Sequence, residues 1–105
     1  MATTTITSGV CGFTTKVTAE EDSDFHCVIT IETDCPNMEH LRAELSEVST
    51  LREVSWKGDG PLVYELARQH LPHAACPVPS GVIKAVEVAC NLALPADAAI
   101  DVQAD

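Results

Sequence analysis

The stretch Pro79-Ser80-Gly81-Val82-Ile83-Lys84-Ala85-Val86-Glu87-Val88-Ala89-Cys90-Asn91-Leu92 decides the fold, because it reads either as a strand or as a helix. Val82, Ile83, Val86 and Val88 are β-branched, which suits a pleated surface. The polar residues decide against that. Ser80, Lys84, Glu87 and Asn91 follow one another at intervals of four, three and four, which places them on one stripe of a helix. In a strand Lys84 and Glu87 would point to opposite faces. The spacing therefore predicts a largely buried helix, ended by Pro95 and Asp97.

Outward from this helix, the turn Lys57-Gly58-Asp59-Gly60 precedes Pro61, which opens a second helix carrying Leu62, Val63, Leu66, Ala67 and Leu71. Pro36 opens another, in which Met38, Leu41, Leu45 and Val48 recur at three, four and three, while Glu39, Arg42, Glu44 and Glu47 lie mostly off that stripe. Residues 51–56 are expected to form a short strand on weak alternation. Residues 12–18 and 25–33 alternate with strand period. Phe13, Thr15 and Val17 share one side of the first, and Phe25, Cys27, Ile29 and Ile31 share one side of the second. The acidic run Glu20, Glu21, Asp22, Ser23 and Asp24 is expected at the tip of the hairpin between them. Residues 99–102 are expected to return as a last strand. The order β-β-α-(β)-α-α-β predicts an α+β fold, a two-layer sandwich with helices packed on one face of a mixed sheet. With no internal repeat, linker or glycine-rich phosphate loop, residues 1–105 are read as a single domain.

Sixteen Asp plus Glu against six Lys plus Arg give a formal net charge of −10, which repels phosphate backbones and anionic headgroups. No nucleic acid and no membrane is expected as a partner. The first ten residues are Thr-rich, with neither a basic stretch nor an apolar run, so no secretion signal is expected. Five cysteines without an export signal point to a reducing compartment and a cytoplasmic address. A chain this short holds one core of modest stability. Its Ala, Val and Leu content with few aromatics makes a homodimer, or docking to a protein partner, a reasonable supplement.

The cysteines carry the only chemistry in view. Cys35 precedes Pro36 and Cys76 precedes Pro77, each where a helix or helix-like turn begins. Proline favours the first helical position, so the cysteine before it falls near the cap, where unpaired backbone N–H groups and the helix dipole favour thiolate. Cys76 is the principal candidate thiolate and Cys35 the second. In the competing reading both are small residues filling turns. Cys11 precedes Gly12 at the mouth of a strand. If strand ends and helix starts share one edge, Cys11, Cys35 and Cys76 meet and, with His73, make a candidate site for zinc or iron. No Cys-x-x-Cys knuckle reinforces it. Cys27 and Cys90 are read as plain core, and His26, His40 and His70 as structural. Arg42, Arg52 and Arg68 are too scattered for an anion pocket, no hydrolytic triad motif is present, and the acidic run lacks the Gly and terminal Glu of a calcium loop.

Cys76-Pro77-Val78-Pro79, followed by Lys84, resembles the Cys-Pro-x-Pro signature of small sulfur-carrier proteins, whose cysteine accepts a persulfide at a helix start. The likeness covers residues 76–84 only. In that family the signature lies near the N-terminus after a first strand, whereas here it lies in the last third, so the similarity is either permuted or local to helix-start geometry. Taken whole, the chain resembles a family of small, functionally unassigned microbial proteins, chiefly from anaerobes. The residues that carry this are Cys11-Gly12-Phe13, Cys35-Pro36, His73 through Pro79, and Leu92-Ala93-Leu94-Pro95. The resemblance implies a distinct domain type and no known activity.

Two readings of function follow. In the first, the protein is thiol-dependent, binding a metal or carrying sulfur or a redox equivalent through Cys76 with Cys35 and Cys11, by thiolate attack or ligation; Lys84 is too far along its helix to assist. In the second, it is a non-enzymatic interaction or assembly module with structural cysteines. Converging exposed thiols favour the first, and scattered buried ones the second. Whether the chain is an enzyme stays open at this level.

Overall fold

A computed structural model describes residues 1–105. β1 (Ala2–Thr7), β2 (Thr14–Ser23), β3 (His26–Thr33) and β4 (Glu47–Ser49) form one four-stranded sheet in the spatial order β1-β2-β3-β4. Every pairing is antiparallel, so the sheet is a meander where a mixed sheet was expected. The reason is connection length: β1, β2 and β3 are joined by hairpin turns too short for a parallel crossover. From β3 the chain returns through a 3-10 turn (Pro36–Met38) and α1 (Glu39–Glu44) alongside that strand, which brings β4 in antiparallel against residues 26–28.

The α+β sandwich with helices on one face is present. α2 (Thr50–Glu53), α3 (Leu62–His70) and α4 (Val78–Ala89) complete the helical layer. As the polar stripe predicts, α4 buries Gly81, Val82, Ala85 and Val86, while Ser80 and Lys84 face solvent. These side chains pack on Ile6, Val17, Ala19, Ile29 and Ile31 from the sheet. Burying each such Val or Ile contributes about 1.5–3 kcal/mol.

Four local expectations differ from the fold. β1 arises from a segment of which no strand was expected. Its ATTTIT sequence is β-branched after the first residue and sets Ala2, Thr4 and Ile6 on the inner face. The acidic residues 20–22 lie within β2, and the hairpin tip is Asp24-Phe25. Phe25 takes a left-handed φ of 58° there and is half exposed, so it does not join Cys27, Ile29 and Ile31 on the inner face. Residues 51–56 hold α2 and a turn instead of a strand, and the strand falls one step earlier, on β4, which takes Val48 from the expected helical stripe. Residues 99–102 have no regular structure, and Ile100 and Val102 stay exposed. Two apolar side chains separated by Asp101 bury too little to offset the entropy of ordering a strand.

Two contacts hold the layers together. Gly81 lies so close to β1 that a Cβ there would stand 2.5 Å from Ile6 Cγ1 and 2.6 Å from Cδ1. Thr4 Oγ1 donates a hydrogen bond to the Gly81 carbonyl at 2.9 Å. Between α2 and α3, the buried Glu53 carboxylate accepts the backbone amides of Leu62 and Val63 at 2.8 and 2.9 Å. Those are orphan donors of the first turn of α3, so the carboxylate replaces a missing side-chain cap.

Gly81→Ala is expected to destabilise the protein by about 1–3 kcal/mol in urea unfolding despite the better helix propensity of alanine, because Ile6 must leave its position. Pairing it with Ile6→Val is expected to recover part of the loss, and a Gly81→Ala variant more stable than the parent would contradict the close approach. Glu53→Gln points an amide N–H at one of two backbone donors and is expected to cost about 1–3 kcal/mol by the same measurement.

Candidate functional site

The strand register gathers three connections at one end of the sandwich. Thr7 pairs with Thr14, and Thr15 with Thr33, so the β1–β2 turn and the exit of β3 are neighbours. The start of α4 lies over the same end, since Gly81 rests against Thr4 and Ile6. Cys11 stands in the first connection, Cys35 in the second and Cys76 just before the third.

The three differ in environment. Cys11 is exposed on a turn closed by the Gly12 amide donating to the Gly9 carbonyl at 2.9 Å. Both glycines hold left-handed φ values, 82° and 76°, which glycine adopts without steric cost. Cys35 is half-buried before the 3-10 turn, and its amide donates to Thr33 Oγ1 at 3.1 Å. That hydroxyl also bonds Thr15 Oγ1 at 2.8 Å and so ties the loop to β2. Cys35 borders a small surface cleft of about 190 Å³ with Asp34, Glu39 and Arg42. Cys76 is half-buried at the end of a turn in which its amide donates to the His73 carbonyl at 3.3 Å.

Burial pushes the Cys76 thiol up from the usual cysteine range; the Val78 amide pulls it down, and the like charges of Cys35 and Cys11 raise it further. The direction is opposite to the lowering that a helix start alone would bring. Pro77 occupies the cap and carries no N–H, so a single backbone amide faces the sulfur, and burial outweighs it. The same interaction places Cys35 and Cys11 within electrostatic reach of Cys76. They do not form a preassembled ligand set, however. No group of three or more His, Cys, Asp or Glu side chains is disposed to hold a metal ion, and His73 is exposed.

The closest cysteines are the two read as core. Cys27 on β3 and Cys90 at the C-terminal cap of α4 bring their sulfurs to 3.1 Å. Thr50 Oγ1 touches both, at 3.5 and 3.2 Å. Cys27 is fully buried, as expected, and Cys90 is half-buried. Burial pushes the Cys90 thiol up to about 12; Thr50 lowers it, and Cys27 and Glu21 raise it. All five cysteines are free. Nothing in the spacing of residues 27 and 90 signals this pair, which exists because α4 ends over the start of β3.

The remaining histidines have structural partners. His26 Nδ1 bonds Asp22 Oδ1 at 2.5 Å across the hairpin end. The bond raises the His26 pKa and lowers that of Asp22. His40 stacks on His70 with ring centroids 5.6 Å apart, and His70 Nε2 bonds Glu44 at 2.6 Å. Trp56, which sequence reasoning assigned to a strand, is 73% exposed and packs against Tyr64 with centroids 5.1 Å apart. Arg52 bonds the Gly60 carbonyl and Glu65, at 3.0 and 2.6 Å, and so braces this corner. No helix is long and apolar enough to cross a membrane.

If the three thiols share one end as described, removing one lowers the alkylation midpoint of another. Cys35→Ser and Cys11→Ser are each expected to shift the pH midpoint for iodoacetamide labelling of Cys76 downward, read by mass spectrometry on the tryptic peptide 69–84, which contains no other cysteine. Midpoints identical to the parent would mean that the thiols do not sense one another.

Searches of curated proteins and of solved structures each found no match. A family model does match, over residues 2–102, in keeping with the unassigned family that the sequence resembles as a whole. With almost its full length covered by that model, the chain belongs to a family of unknown function, DUF6951.

Proposed function

We propose that the protein is a thiol-dependent metal binder that takes zinc or ferrous iron at the end of the sandwich carrying Cys11, Cys35 and Cys76. The observation that carries this reading is the placement of three thiols, from three separate connections, at one end of one small sheet. Such thiols repel one another once ionised, and a soft cation relieves that repulsion while drawing off their protons. His73 shares a turn with Cys76 and is the candidate fourth donor of a tetrahedral Cys3His set. Because no ligand set is preassembled, binding requires the sulfurs to turn inward. Cys11, exposed on its short glycine-bounded turn, can do so at least cost.

The upward shift of Cys76 weighs against a sulfur-carrier or nucleophilic role for the same thiols, since a persulfide acceptor works as thiolate. A second reading, an assembly module, draws on the exposed Trp56–Tyr64 pair, which borders a surface cleft of about 570 Å³ with Glu65 and Arg68. A homodimer or a protein partner would bury these rings.

Elemental analysis of protein purified anaerobically without metal-affinity steps is expected to find zinc or iron near one per chain. Cobalt(II) titration is expected to give thiolate charge-transfer bands that Cys76→Ser and Cys35→Ser abolish and His73→Ala weakens. Metal-free protein with no cobalt bands would overturn the metal reading. Sedimentation showing a monomer at high concentration would count against self-association.

A further inference from the structure

We infer that Cys27 and Cys90 form a modification site, a dithiol that closes to an intramolecular disulfide by exchange with a small-molecule disulfide of the glutathione type. The inference rests on different residues from the metal reading, at the opposite end of α4. Twelve helical residues, about 18 Å, separate the two ends.

The sulfurs stand 3.1 Å apart, about 1 Å beyond a disulfide bond. Their anchors determine which of them moves. Cys27 is held in the sheet between Glu21 of β2 and Val48 of β4. Cys90 caps the C-terminus of α4 just after its last residue, Ala89, its amide bonded to the Val86 carbonyl, and Asn91 turns the chain away with a left-handed φ of 60°. Beyond Asn91 no regular element follows. A small rotation at the end of α4 therefore brings Cys90 onto Cys27 without disturbing the sheet. Thr50 Oγ1 lies against both sulfurs and can donate a hydrogen bond to whichever is ionised.

Exposure orders the steps. Cys90, the half-exposed thiol, gives its proton to water or to the neighbouring Glu21 carboxylate and attacks one sulfur of RS–SR. The Cys90–SR bond forms as the RS–SR bond breaks and RS⁻ departs. Cys27 then loses its proton and attacks Cys90 Sγ, forming the Cys27–Cys90 bond and expelling the second RS⁻. The protein loses two electrons and two protons, and the reagent gains them as two RSH. Burial of Cys90 keeps its thiolate scarce, so closure speeds up with rising pH. It also leaves the reduced pair without the thiolate stabilisation that makes a disulfide strongly oxidising, so the closed form resists reduction. Closure staples the end of α4 to β3 and shortens the unfolded chain by a long loop.

The test uses the full-length Cys11→Ser/Cys35→Ser/Cys76→Ser variant, in which Cys27 and Cys90 are the sole thiols, incubated reduced and then with glutathione disulfide at pH 8. Loss of two hydrogens from the intact mass, no titratable thiol, no intermolecular species and a thermal midpoint raised by about 5 °C or more are expected. Retained glutathione on Cys90, or two thiols alkylated once the treated protein is denatured, overturns the proposal. Should the triple substitution unfold the chain, the parent protein is treated in the same way and digested without reduction. A crosslink between peptides 17–42 and 85–105, placed by fragmentation at Cys27 and not at Cys35, supports the inference. Its absence overturns it.

Discussion

A four-stranded meander of this length has one apolar face, and a single helix of twelve residues does most of the work of covering it. That arrangement depends on Gly81. With no side chain there, α4 settles directly on β1, its carbonyl reachable by Thr4 and its Cα against Ile6. A larger residue would lift the N-terminal turn of the helix and open the end at which the chain has the most connections to close. The sequence at this point accepts the helix cost of a glycine, about 1 kcal/mol relative to alanine, in exchange for that proximity.

Once α4 is seated, the placement of Cys76 and Cys90 relative to the other three cysteines follows. Its start carries Cys76 to the end of the sheet where Cys11 and Cys35 lie, and its finish carries Cys90 onto Cys27. The second fastening, Glu53 on the first amides of α3, works where no Ser, Thr, Asp or Asn occupies the cap of that helix. Pro61 stands at the cap and has no side-chain oxygen to accept those amides. A carboxylate from the preceding helix fills the role, and its burial is tolerable because both oxygens are satisfied by backbone donors.

The legible parts of the sequence were those with a long, unambiguous period. Ser80, Lys84, Glu87 and Asn91 define the outer stripe of α4, and Cys27, Ile29 and Ile31 define the inner face of β3, so the sandwich and the side on which its helices lie could be read. Short elements were harder. Val48 satisfies a helical spacing and a three-residue strand equally well, and tertiary pairing with Cys27 decides between them. Phe25 continues an alternating pattern, yet the hairpin needs a left-handed residue at that position and exposes the ring. β1 was hidden because threonine-rich segments carry strand propensity without apolar alternation. For the candidate site, the shared end of Cys11, Cys35 and Cys76 follows from hairpin ends and helix starts. The Cys27–Cys90 contact depends on where a helix stops over a sheet, which no spacing along the chain records.

Both ends of α4 present cysteines whose surroundings raise the thiol pKa. Cys76 lies behind a proline that removes an amide donor, and Cys90 lies in a half-buried corner beside Glu21 and another thiol; each is held above the usual cysteine range. A nucleophilic enzyme arranges the opposite, lowering the pKa of its thiol with donors and positive charge. Thiols kept protonated and placed near other thiols have their chemistry supplied from outside, by a cation that replaces their protons or by a disulfide that accepts their electrons. The strongly acidic chain, at −10, favours the approach of the cation and slows that of an anionic disulfide. In the two proposals the ends of the helix meet different reagents, and that division would follow from the same packing of α4 that closes the core.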